Sequence, residues 1–170
     1  MIEMKDSIYE IERKYLIRYP DMKLLNSSAD KTEITQTYLI TRDGRTARVR
    51  KRGLDGVFVY THTQKTRISD VKRIELEREI SEEEYTRLLE DADPARGVIH
   101  KDRYCLTYRE QMFEIDVYPF WTDRAIMEIE LDDEGQDILF PPFIEIISEV
   151  TSDKRYTNSS LARHVPYDSI

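Results

Sequence analysis

Five short stretches of the chain repeat one arrangement of ionised side chains. Glu10-x-Glu12-x-Lys14, Arg48-x-Arg50-x-Arg52, Arg73-x-Glu75-x-Glu77, Lys101-x-Arg103 and Glu128-x-Glu130 each set two or three charges at alternate positions. On a β-strand alternate residues share a face, so each set stands its charges side by side. Like charges placed so repel, and Arg-x-Arg or Glu-x-Glu pairs need opposite charges, metal ions or a charged ligand to offset them. Carboxylates hold hard cations through oxygen, while Arg forks and Lys ammoniums bind phosphoryl oxygens directly. The two residue classes together suit a polyanion handled with divalent cations.

The elements that must position these sets read as strands. Tyr9, Ile11, Tyr15 and Ile17 alternate with Glu10, Glu12 and Lys14, and Ile115 and Val117 alternate with Glu114, Asp116 and Tyr118. Period two predicts β-structure. The same pattern recurs near residues 36–40, 46–51, 57–65, 73–80, 103–108, 111–118, 126–131 and 144–150. Asp43-Gly44 and Asp55-Gly56 lie between candidate strands, as tight hairpins favour, which predicts an antiparallel meander. Helical signals are fewer. Ser81 ahead of Glu82, Glu83 and Glu84 reads as an N-cap with acids in the first turn, leading into Tyr85, Leu88 and Leu89 and ending near Asp93-Pro94. Short helices are also expected near residues 20–26 and 158–164.

Scattered polar residues would mark an ordinary wet sheet face; these charges come in sets. If the strands curl into a barrel with the charged faces inward, acids and bases on opposite walls compensate one another. Ile11, Val49, Ile74, Leu76, Ile115, Val117, Ile129 and Leu131 then face outward, to be covered by the helices and by a possible second copy in a homodimer. The bore would hold the bases Lys14, Arg48, Arg50, Arg52, Lys65, Arg73, Lys101 and Arg103 against the acids Glu10, Glu12, Glu75, Glu77, Asp116, Glu128 and Glu130, nearly balanced. Two divalent cations would raise it to about +5, the match for a triphosphate of about −4 to −5.

Composition sets the limits. A length of 170 residues fits one domain, 1–170. Eleven Tyr and five Phe supply bulk for packing, and no apolar run approaches the ~18 residues of a membrane span. The single cysteine, Cys105, excludes an intrachain disulfide and a multi-Cys zinc site. Charges through MIEMKDSIYEIERK leave no signal-peptide core, which predicts a cytoplasmic setting. A net charge of −8 argues against nonspecific nucleic-acid binding, which needs a basic surface, and no membrane partner is expected.

The sequence resembles the CYTH domain proteins, the triphosphate tunnel metalloenzymes. Glu10-Ile11-Glu12-Arg13-Lys14 carries the E-x-E-x-K signature, and the similarity runs on through Thr46-Ala47-Arg48-Val49-Arg50, Thr63-Gln64-Lys65, Arg73-Ile74-Glu75-Leu76-Glu77, Lys101-Asp102-Arg103, Glu114-Ile115-Asp116-Val117-Tyr118, Glu128-Ile129-Glu130 and the segment from Glu149 to Asn158. The resemblance implies an α+β, mainly antiparallel fold: an eight-stranded closed β-barrel tunnel with a charged interior and a few peripheral helices. It also implies a Mg²⁺ or Mn²⁺ cofactor, with two metals expected, and a small polyanionic substrate.

Roles follow from the resemblance at matching positions. Glu128 and Glu130, with Asp116, would hold the metal that orients the triphosphate; Glu10 and Glu12 would help hold a second, and Glu75 and Glu77 join the acidic group. Lys14, Arg48, Arg50, Lys65, Arg73, Lys101 and Arg103 would grip phosphoryl oxygens. A basic residue on the C-terminal segment, Lys154 ahead of Arg155, would reach the substrate, and Glu10, Glu12, Lys14 and Lys154 are the expected catalytic group. The implied reaction is hydrolysis of inorganic triphosphate to pyrophosphate and phosphate. A class IV-type adenylyl cyclase, a thiamine triphosphatase and a non-catalytic polyphosphate-binding module are the alternatives.

Other chemically capable residues read more plainly. His62, His100 and His164 are too far apart for a metal motif. Cys105 shares the parity of Lys101 and Arg103 but reads as a small packed thiol. Trp121 reads as loop packing rather than a base-stacking platform. Arg48, Arg50 and Arg52 share one face and Lys51 takes the other, so the basic run is a phosphate rail rather than a nucleic-acid patch. Asp132, Asp133 and Glu134 read as a solvated loop.

Overall fold

The computed structural model describes residues 9–170; Met1 to Ile8 of the expected domain and of its charged opening lie outside the described residues. The strands are β1 (Tyr9–Arg18), β2 (Asp30–Leu39), β3 (Thr46–Leu54), β4 (Val57–Arg67), β5 (Lys72–Ile80), β6 (Ile99–Tyr108), β7 (Gln111–Val117), β8 (Arg124–Glu130) and the short β9 (Ile146–Glu149). Every expected strand is present. β2 and β6 start earlier than the alternation suggested, and β6 thereby carries Lys101 and Arg103 on one face.

The strands hydrogen-bond in the order β5-β4-β3-β2-β6-β7-β8-β1, all antiparallel, and β1 returns to β5 to close an eight-stranded barrel. Closure rests on three residue pairs, Tyr9 with Ile74, Glu10 with Arg73 and Ile11 with Lys72. Beyond them the free edge of β1 is taken by β9, which pairs with Tyr15–Ile17. β9 therefore lies outside the ring and carries the C-terminal segment back over one end of it.

Turn chemistry explains two of the hairpins. Asp55 and Gly56 both take positive φ, the two-residue turn whose twist matches the flanking strands. Arg109 and Glu110 do the same between β6 and β7 without a glycine or asparagine to advertise it. The Asp43-Gly44 connection is longer than a tight hairpin because β2 ends at Leu39. There Ile40 donates to the Asp91 carbonyl and Thr41 ties to the Arg45 carbonyl, drawing the chain away from the ladder.

Three short helices cover the outside and one end. α1 (Met22–Ser28) is capped by Asp21 and buries Leu25. α2 (Glu82–Leu88) is capped by Ser81, buries Tyr85, and passes into a 3₁₀ turn that ends at Asp91 rather than Asp93. α3 (Asn158–Leu161) is capped by Thr157 and is shorter than expected. Among the described residues no helix is long and apolar enough to cross a membrane.

Among the described residues apolar packing forms three clusters, two of them outside the ring. One lies outside β1, β6, β7 and β8, where Ile17, Phe113, Ile115 and Met127 meet Leu25 of α1 and Ile144. A second sits between β3 and α2, built on Val49 and Tyr85. The third is inside. Leu16, Tyr38, Ile99, Tyr118 and Ile126 share the inward parity of the charged sets but pack with Trp121, Tyr156 and Leu161 to seal one end of the bore. The expectation of an ionic interior is met along part of the axis, and an apolar plug occupies the rest.

Candidate active site

The interior beyond the plug is one cavity of about 1050 Å³. Glu10, Glu12, Lys14, Arg48, Arg50, Lys65, Arg73, Glu75, Glu77, Arg103, Glu128, Glu130 and Lys154 line it. Strands explain the gathering: each charged set occupies the inward parity of its strand, and the antiparallel register stacks Glu12 against Glu130 and Lys14 against Glu128. Lys154 arrives differently, from the 3₁₀ turn that follows β9. Its neighbour Arg155 turns away and pairs with Asp153 and Asp168.

Lys101 and Asp116 are not on the cavity wall. Their side chains are 0% exposed, with Lys101 Nζ 2.7 Å from Asp116 Oδ2. Arg103 closes the set through Nε at 2.7 Å from Oδ1 and Nη2 at 2.9 Å from Oδ2, and it also pairs with Glu114. Burial alone would raise the Asp116 carboxyl, but Arg103 and Lys101 outweigh it and hold the group well below the usual range. Asp116 is thereby a fixed anion that orients Arg103 toward the cavity. Burial lowers Lys101 from the ordinary Lys value despite Asp116.

Around the cavity the pairs alternate in sign. Lys14 Nζ lies 3.3 Å from Glu128 Oε1 and donates to the Tyr156 carbonyl at 3.3 Å. Lys65 Nζ sits between Glu10 at 3.2 Å and Glu75 at 3.7 Å, and Arg73 reaches Glu12 at 3.4 Å. Thr63 donates to Glu77 at 2.9 Å, and Arg50 donates to Gln36 at 3.2 Å. Arg52 donates to Thr32 and approaches Cys105 at 3.5 Å, so the cysteine is part of this inner face.

Compensation is incomplete on both sides of the cavity. Burial, then Glu128 and Glu10, push Glu12 up to about 7. Burial raises Glu10, with Glu75 adding to it, and raises Glu130, with Glu10, Glu114 and Glu12 adding. Glu128, despite burial, is held at about 2 by Lys14 and Arg103. On the basic wall, burial with Arg48 and Arg103 brings Arg50 down to about 9. Among the described residues the buried Nε atoms of Arg48, Arg50 and Arg73 have no hydrogen-bond partner. Crowded carboxylates that resist ionisation suit a cation, and unpaired guanidinium N–H groups suit an anion.

The donor set fits hard divalent cations in one respect and limits how they bind. Every cavity acid supplies oxygen, yet among the described residues no three acidic, His or Cys side chains converge as a ready ligand cage. Small hard cations are commonly held by one or two carboxylates, with substrate oxygens and water completing the shell. Glu10, Glu12, Glu75, Glu77, Glu128 and Glu130 are the carboxylates of the expected metal set that line the cavity, and Asp116 is not on its wall.

The CYTH domain model matches residues 9–164, nearly the whole described chain. The chain belongs to the CYTH domain family. An inorganic triphosphatase of Nitrosomonas europaea is 31% identical to this CYTH protein over 163 residues, covering 92% of this chain and 99% of the relative. One from Acetivibrio thermocellus is 31% identical over 159 residues, covering 93% and 95%. A crystal structure of an inorganic triphosphatase superposes with a TM-score of 0.58 at 30% identity, covering 93% of this chain and 97% of its own.

Several wall residues escaped the reading by charged sets. Glu114 lies on the Asp116 parity and was legible as such; Tyr38 and Thr63 are inward residues of their strands with no charge to mark them. Thr151, Ser152, Thr157, Asn158 and Ser160 reach the cavity from the C-terminal segment, and no local pattern signals that.

Proposed function

We propose that this CYTH protein hydrolyses a triphosphate chain, foremost inorganic triphosphate, to pyrophosphate and orthophosphate, using Mg²⁺ or Mn²⁺. The observation that carries the reading is the pairing, within one cavity of about 1050 Å³, of crowded Arg and Lys side chains with crowded, ionisation-resistant carboxylates. Relatives named inorganic triphosphatase, aligned over nearly the whole chain, support the substrate class.

Lys14, Arg48, Arg50, Lys65, Arg73, Arg103 and Lys154 bind phosphoryl oxygens and fix the chain along the cavity. Asp116 and Lys101 act from behind the wall by orienting Arg103. Divalent cations, when bound by Glu10, Glu12, Glu128 and Glu130, neutralise phosphate charge and favour attack at phosphorus. Glu10 and Glu12 accept hydrogen bonds from the attacking water and orient it. Its oxygen bonds to the terminal phosphorus as the bridging P–O bond breaks; the electron pair leaves on pyrophosphate, and the water's proton passes to solvent. The guanidinium groups stabilise the charge that gathers on the bridging oxygen.

Turnover of tripolyphosphate, ATP and thiamine triphosphate, each with Mg²⁺ and Mn²⁺, tests the reading. Tripolyphosphate is expected to have the highest kcat/KM, and release of cyclic nucleotide from ATP in its place would overturn it. Glu130→Gln removes one carboxylate charge without loss of packing, and hydrolysis is expected to fall by about 100-fold or more at unchanged Tm. Full activity in that variant would remove Glu130 from the cation set.

A further inference from the structure

Asn158 is the first residue of α3 and stands where the apolar plug meets the cavity. Its Oδ1 accepts from the Tyr118 hydroxyl at 2.6 Å and from Lys101 Nζ at 3.4 Å. An ammonium can only donate, so the amide oxygen must face Lys101, and the amide nitrogen must point the other way. Among the described residues Nδ2 has no hydrogen-bond partner, while Asn158 lines the cavity.

The support behind the amide is rigid. Tyr118 is buried, its ring packed against Phe120 and Trp121, and Asp116 holds Lys101 from the far side. α3 itself is fixed by Thr157, which accepts from the Ser160 amide and donates to the Ser160 hydroxyl. Two residues before Asn158, the Tyr156 carbonyl accepts from Lys14. An amide whose oxygen is held by two donors, on a segment tied to a phosphate-binding lysine, is a preorganised neutral donor.

We propose that Asn158 is a substrate-binding residue, its Nδ2 donating a hydrogen bond to a phosphoryl oxygen of the triphosphate at the closed end of the cavity. A lysine ammonium attracts the polyanion as a point charge with little demand on its position. A single directed amide donor sets how far the chain enters. The proposal rests on the triphosphatase reading above.

Two substitutions separate the amide's two faces. Asn158→Asp is nearly isosteric and keeps an oxygen for Tyr118 and Lys101, but turns the cavity-facing donor into a second acceptor. Asn158→Ala removes both faces. For tripolyphosphate, Asn158→Ala is expected to raise KM several-fold and Asn158→Asp about tenfold beyond that, because an acceptor there repels phosphate oxygens. The Tm of Asn158→Asp should stay near wild type. A purely structural role predicts the reverse order, with the aspartate variant close to wild type and the alanine variant worse. A KM in Asn158→Asp equal to or below that of Asn158→Ala overturns the proposal. If the alanine variant melts below the assay temperature, Asn158→Ser takes its place in the same comparison. Wild-type protein that fails to hydrolyse tripolyphosphate would overturn the triphosphatase reading instead.

Discussion

At the scale of single residues, neighbouring carboxylates hold opposite states for stated reasons. Glu128 stays ionised despite burial because Lys14 and Arg103 face it, whereas burial, with Glu128 and Glu10 close by, pushes Glu12 up to about 7. The unfolded chain gives up the Glu12 proton near the ordinary value of 4.5, and the folded chain keeps it until about pH 7. Across that window the folded state binds more protons, so this group's contribution to stability is full below pH 4.5 and is lost as pH rises through 7. Glu10 and Glu130 shift in the same direction, while His62, lowered by burial and Arg78, and Lys101, brought down to about 7 by burial, work against them. In chelator, Glu12→Gln should therefore gain Tm relative to wild type on going from pH 5.5 to pH 8. An unchanged difference between the two proteins across that range would show that Glu12 does not supply the effect.

Among the elements, β3 and β4 show how closely backbone geometry binds the rail to its turn. Gly53, next to Arg52, lies so near the partner strand that an added Cβ would overlap the Val57 carbonyl. Gly53→Ala should cost about 1–3 kcal/mol through forced backbone movement, read as a lower denaturation midpoint. A midpoint equal to wild type would mean that the hairpin shifts freely. The same hairpin was legible from Asp55-Gly56, whereas the Arg109-Glu110 turn was not. Its residue types do not favour positive φ, and the β6–β7 ladder on either side imposes it.

For the whole molecule, the barrel divides its interior by chemistry, charged along the cavity and apolar at the plug. Trp121 ties the plug together through its ring contacts with Tyr118 and Tyr156 and through Nε1 donating to the Pro166 carbonyl at 2.9 Å. Trp121→Ala should destabilise the fold by about 3–5 kcal/mol. It should also raise KM for tripolyphosphate, because the Tyr156 carbonyl that receives Lys14 belongs to the same plug. Denaturation curves and initial rates on the folded fraction would separate the two effects, and loss of stability with KM unchanged would uncouple plug from cavity.

The strands, their inward parity and the gathering of Glu12, Arg50 and Glu130 on one wet face were all present in the order of residues. A β-strand's period of two is local, and ionised side chains cannot share a packed face with Ile115 or Met127. Tertiary structure alone decided that Lys101 and Asp116 stand behind the wall, that Leu16, Tyr38 and Ile126 close the bore, and that Asn158 enters it. Those outcomes depend on the register between strands far apart in the chain and on where β9 returns the C-terminal segment. No short window of sequence contains that information.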